Sequence, residues 1–145
     1  RHGCGRYILA TPEESATGRE VALNEVDIDN FIRAKGAIFS AINIMLSSLD
    51  MDVTVLEHVY VAGGIGSGIN MENAVRIGML PDIDRSLFTY LGNTSLAGAS
   101  MAAVDPECRR ELRSCAEKCE YIELSGLREF TEAFTDNMTF DITED

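Results

Sequence analysis

The chain has 145 residues, 46% of them hydrophobic, which suits one domain with a packed core and not a disordered tail. Twelve Lys and Arg against 24 Asp and Glu leave a net charge of −12, which argues against a nucleic-acid or anionic-membrane surface. No apolar run approaches the roughly 18 residues of a membrane span, and no segment reads as a secretory signal.

Residues Tyr7 to Ala10 form a short apolar run that reads as a strand, and Thr11 to Gly18 is polar and turn-like. A second short strand is expected within Arg19 to Val26, where Val21, Leu23 and Val26 alternate loosely with polar residues. Asp27 opens the longest helix, with Asp27 or Asp29 as its N-cap. Its stripe is Ile28, Phe31, Ile32, Ile38, Phe39, Ile42, Met45, Leu46 and Leu49, at the 3.6-residue period of a helix with one buried face. Lys35 fills the gap in that stripe. A lysine there either snorkels out along its stem or reaches an anion beside the helix. Gly36 next to it admits a close backbone.

The central stretch is Val53 to Ala62 (VTVLEHVYVA) followed by Gly63, Gly64, Gly66 and Gly68. The β-branched run reads as a strand buried on both faces. Asn70 caps a helix from Met71 to Ile77, which Gly78 ends and Pro81 keeps from continuing. Strand, glycine turn and helix together let a ligand approach bare backbone, and a nucleotide is the first candidate. The spacing matches neither the dinucleotide fingerprint nor the Walker loop, so a turn that only makes a tight connection is the competing reading.

Asp82 to Asp84 is a turn, and Leu87 to Leu91 reads as another buried strand. Gly92 to Ser95 closes it and caps a helix from Leu96 to Val104. Ala97, Gly98 and Ala99 leave that helix a bare surface for tight packing or for bordering a ligand. Glu107 to Lys118 forms a charged helix with interleaved signs and a solvated face. Glu120 to Leu124 alternates as a strand, Ser125 caps a last helix from Gly126 to Phe134, and Met138 to Ile142 offers one more short strand. Helices and strands alternate throughout, which gives an α/β layer fold.

Cys4, Cys108, Cys115 and Cys119 form no CxxC pair, and their spacing fits neither ferredoxin pattern. Cys108, Cys115 and Cys119 could share one helix face, but no metal site is expected. Reduced thiols in a cytoplasmic chain are the simpler reading. His2 beside Cys4 does not make a metal site either.

The order of these pieces resembles the second lobe of the acetate kinase, sugar kinase, Hsp70 and actin superfamily, an RNase H-like, actin-like ATPase lobe with a mixed sheet flanked by helices. Four stretches are similar in detail to the C-terminal domain of reductive activators of corrinoid proteins: Asp27 to Ala37, Tyr60 to Gly64, Asn73 to Pro81 and Leu91 to Ala99. The resemblance covers roughly Tyr7 to Phe134. It implies that residues 1–145 are a single domain, the C-terminal lobe of a longer ATP-dependent activator that restores Co(I) in corrinoid proteins of methyltransferase systems. ATP and Mg2+ are the implied cofactors, with an iron–sulfur cluster only in an upstream domain. By the same resemblance Ala62, Gly63, Gly64, Ile65 and Gly66 lie against the nucleotide, and Lys35 is placed beside it by its position. A corrinoid protein and a second copy of the chain are the implied partners. Neither the ferredoxin cysteines nor the Asp-x-Gly-Thr phosphate loop of that family stands in this sequence, so the chain alone is expected to be inactive and the catalytic residues are unknown. The alternative is a non-catalytic interaction or oligomerisation domain that keeps the actin-like fold. A small-molecule kinase or a dehydratase activator is a third, weaker reading.

Overall fold

A computed structural model describes residues 5–64 and 68–140. Strands β1 (Arg6–Ala10) and β2 (Val21–Asn24) pair antiparallel as a hairpin. Helix α1 (Glu25–Ser47) follows at once. Strand β3 (Val59–Ala62), helix α2 (Met71–Arg76) and strand β4 (Phe88–Gly92) form the middle of the chain, with β3 and β4 parallel. Helices α3 (Thr94–Val104), α4 (Pro106–Glu117) and α5 (Arg128–Asp136) complete it. The described sheet structure is therefore two separate strand pairs, one antiparallel and one parallel.

α1 starts two residues before the expected Asp27. Its N-cap is Asn24, whose side chain accepts the Asp27 N–H at 2.9 Å, while the Asp27 carboxylate accepts the Asn24 N–H at 3.2 Å. This reciprocal capping box satisfies two orphan donors, so Asp27 serves the third helical position and not the cap. At the far end Asp50 takes a positive φ of 53°. The Met51 N–H then returns to the Leu46 carbonyl at 3.0 Å, and the Asp50 N–H to Ser47 at 3.1 Å. That pair of bonds closes the last turn in the Schellman manner.

The expected ten-residue central strand is only four residues long. Asp52 accepts the Thr54 N–H at 2.9 Å and folds Val53–Val55 into a 3-10 turn instead. A short polar side chain that captures a nearby amide competes with the strand ladder. Nor is the strand buried on both faces: it alternates between half-buried and exposed, with Tyr60 60% exposed. α1 faces it across an apolar groove of about 300 Å3 lined by Ile42, Met45, Leu46, Leu49, Val59 and Tyr60 among others.

Three expectations in the C-terminal third also change. Glu120 to Leu124 is not a strand: it has no partner among the described residues, and Tyr121 is 83% exposed. Glu123 accepts the Ser125 N–H, making a 3-10 turn at Leu124–Gly126, so Ser125 caps no helix. α5 begins at Arg128 behind Leu127, with no side-chain cap. Residues Met138 to Phe140 are not a strand either, and Asp141 and Ile142 lie outside the described residues.

Most of the well-buried residues sit where α1, α2 and the segment after α5 meet: Lys35, Gly36 and Ser40 on α1, Ala74 and Val75 on α2, with Pro81 buried beyond α2. Gly36 has the role its size suggests, since a Cβ there would stand 3.1 Å from the Asn137 carbonyl oxygen. Asn137 also donates its side-chain amide to the wholly buried Ser40 hydroxyl at 3.0 Å. These contacts dock the segment Asn137–Phe140 onto the middle of α1.

Candidate functional site

β3 and β4 run parallel and end side by side, where open α/β sheets receive their ligands. The register pairs Val61 with Tyr90 but Ala62 with Gly92, so Leu91 is the extra residue of a bulge. Beyond it Gly92 has a φ of 71° and Gly63 a φ of 101°, both in the region that favours glycine. The Gly63 N–H donates to the Gly92 carbonyl at 2.8 Å. The Tyr90 hydroxyl donates to the Gly63 carbonyl, also at 2.8 Å. Gly63 is thus held on both sides from β4.

Among the described residues, a Cβ at Gly63, Gly64, Gly68 or Gly92 would meet nothing within 4 Å. Ala62 and Gly64 are exposed and Gly63 is half-buried. Ile65 and Gly66 lie outside the described residues. Past the turn Asn70 caps α2 as expected, accepting the Asn73 N–H at 3.0 Å. Asn93 caps α3 in the same way, accepting the Leu96 N–H at 3.0 Å beside the end of β4. Gly98 on α3 has nothing within 4 Å of a built Cβ, so among the described residues that helix does not use its small residue for tight packing.

Lys35 lies in the middle of α1. It is 3% exposed, and its ammonium donates to the Thr139 carbonyl and lies 5.1 Å from the centre of the Phe140 ring. Its Nζ stands 3.4 Å from where a Cβ on Gly78 would be. It borders a cleft of about 790 Å3 between α1, α2 and the terminal segment, shared with Arg76, Arg85 and Asp136. Arg85 is already paired there, with Glu72 at 2.9 Å and Asp82 at 2.8 Å, and these hydrogen bonds push its pKa up. Among the described residues its ammonium is held by Thr139 and Phe140, neither of which belongs to the glycine turn.

Cys108 is half-buried, and Cys115 and Cys119 are exposed as free thiols. The Cys119 thiol leans back on the Cys115 carbonyl at 3.4 Å. Cys4 lies outside the described residues. Tyr90 and Gly92 are the site residues that periodicity alone does not single out. The available signal was Gly92 itself, directly after an apolar run and before a capping Asn.

A capped long helix, a strand ending in a braced glycine pair, a short helix, a parallel strand and a small-residue helix define one lobe of the actin-like ATPase fold. The family model for the C-terminal domain of RACo, the ASKHA domain, matches residues 1–145, and the chain belongs to that family. A solved structure titled reductive activator for corrinoid, iron-sulfur protein superposes with a TM-score of 0.86 at 37% identity, over 96% of this chain and 22% of that one. The corrinoid activation enzyme RamQ of Eubacterium limosum is 26% identical over 136 residues, which is 93% of this chain and 23% of that protein. The chain thus spans under a quarter of the length of either relative.

Proposed function

We propose that this chain is the nucleotide-binding lobe of an ATP-dependent reductive activator, which returns the corrinoid of a partner protein to Co(I) in a methyltransferase system. The observation that carries the reading is the Gly63–Gly64 turn: braced from behind by β4 and open in front, at the carboxyl ends of two parallel strands. Ala62, Gly63 and Gly64 form the ledge against which adenosine and phosphates of MgATP lie; the family resemblance assigns Ile65 and Gly66 to the same nucleotide. The names of the relatives support the corrinoid partner. In this reading the lobe belongs to a longer cytoplasmic protein, which brings the iron–sulfur cluster and the phosphate loop in other domains. Lys35 keeps a supporting place, through the helix it anchors.

A second reading, an interaction or oligomerisation domain that has lost the nucleotide, is favoured by the many exposed apolar residues, among them Leu9, Val26, Leu96 and Val104. In that case a second copy of the chain is the natural occupant. Calorimetric titration with ATP and magnesium separates the two, run on the 145-residue chain and on the full-length activator. Gly64→Val is the control variant. Its Cβ has room and no positive φ to fight, so the fold persists while the methyls occupy the ledge. The expected loss is about tenfold or more in affinity, roughly 1.4 kcal/mol. Unchanged affinity in this variant, or no binding by either wild-type protein, sinks the nucleotide reading.

A further inference from the structure

We infer that Tyr90 is the positioning residue of the nucleotide ledge, acting through the Gly63–Gly64 peptide and not by touching the ligand; this rests on the nucleotide reading above. The peptide between two glycines is the least restrained unit of a turn, because neither residue has a Cβ to limit rotation about its flanking bonds. What a ligand meets at such a unit depends on which way its carbonyl is turned. Here the Tyr90 hydroxyl, 2.8 Å from the Gly63 oxygen, takes the carbonyl toward β4. A trans peptide points its N–H opposite to its C=O. The same bond therefore fixes the direction of the Gly64 N–H, away from Tyr90.

The bulge explains why tyrosine can do this. The extra residue, Leu91, lets Tyr90 pair with Val61 and still send its ring along the strand end to Gly63. Gly92 then turns, at a φ of 71°, to take the Gly63 N–H. One strand thus holds both polar groups of Gly63, with a side chain for the carbonyl and a backbone carbonyl for the amide. The ring is 41% exposed, so its value to the fold through burial is modest and the hydroxyl carries the specific effect. A ligand that meets the backbone of this turn finds it already oriented, and binding is spared the cost of ordering it.

The test is Tyr90→Phe in the full-length activator, which deletes one oxygen and keeps the ring. Three quantities are read: MgATP affinity by calorimetry, the split of KM and kcat for ATP hydrolysis, and Tm without nucleotide. The expected result is an ATP affinity weaker by roughly three- to tenfold, the range of one neutral hydrogen bond, with KM raised in proportion. kcat and Tm stay at their wild-type values. Affinity within experimental error of wild type overturns the inference. So does a fall in Tm and kcat together with affinity, which would make Tyr90 an ordinary structural contact. If the wild-type protein itself fails to bind ATP, the nucleotide reading falls and takes this inference with it, an outcome the wild-type titration alone identifies.

Discussion

Lys35 shows how a single side chain can carry two meanings in a sequence. A lysine within an apolar stripe is either a snorkelling stem or a charge with a purpose, and the surrounding residues do not decide between them. In this fold Thr139 and Phe140, more than a hundred positions later, lie against the ammonium. Its role is therefore expected to be that of an anchor. Lys35→Met should lower stability by about 1 kcal/mol, because the part-buried hydrogen bond from the ammonium to the Thr139 carbonyl is lost. ATP affinity measured by calorimetry should stay within about twofold of wild type, well short of the tenfold that 1.4 kcal/mol would bring. A full loss of affinity at unchanged Tm would return Lys35 to the ligand itself. The glycines were legible in the sequence for the opposite reason: Gly63 and Gly64 interrupt an apolar run, and only a backbone demand explains a pair of glycines there. Their brace, Tyr90, was not legible, because a tyrosine in a strand looks the same whether its hydroxyl meets water or a carbonyl.

Among the elements, those with strong local instructions appear where the sequence places them. α1 has a long stripe, α2 has Asn70 before it and Gly78 after it, and α3 and α4 follow Asn93 and Asp105 as caps. Boundaries moved where a cap lay one turn earlier than the first apolar position, as at Asn24. That cap should be measurable on its own. Asn24→Ala removes one half of the capping box and should cost about 1 kcal/mol in urea unfolding, within a range of 0.5–2. A change under about 0.3 kcal/mol would mean that the hairpin, and not the cap, holds the start of α1. Alternation alone decided less: it found β2 within Arg19 to Val26 but misled further on. The EYIEL stretch from Glu120 has the period of a strand but pairs with no strand among the described residues, and the long β-branched run from Val53 yields to one aspartate. Small acidic residues recur in this way: Asp84 folds Arg85–Leu87 into a 3-10 turn, and the Ser86 backbone N–H holds its carboxyl below the ordinary value of 3.8.

The whole molecule exposes 11247 Å2, whereas a compact monomer of 15.9 kDa exposes about 7,400 Å2 by the usual scaling with mass. Large apolar residues are exposed on helices, such as Phe31, Leu96 and Met101, as well as on strands. In the β1–β2 hairpin, Tyr7, Ile8, Leu9, Val21 and Leu23 are all more than 40% exposed, so neither face of the ribbon is covered. A two-stranded ribbon of this kind is marginal in water. Hydrogen exchange on the 145-residue chain should therefore find the hairpin amides far less protected than those around Ser40 in the middle of α1. Protection of the hairpin equal to that of α1 would show that some partner surface already covers it in solution. The family and its actin-like architecture were legible because four motifs keep their order along the chain. The extent of bare surface was not, because a sequence shows which residues are apolar but not which of them find a neighbour.

The docking of Asn137–Phe140 has a practical side for anyone who handles this protein. Four residues near the end of the chain hold Lys35, fill the space above Gly36 and pair with Ser40, so they function as part of the middle of α1. Shortening the polypeptide after Asp136 to tidy an expression clone would strip α1 of these contacts at a stroke. An affinity tag intended for the carboxyl end belongs at the other end of the chain, or behind a spacer long enough to leave Phe140 where it lies.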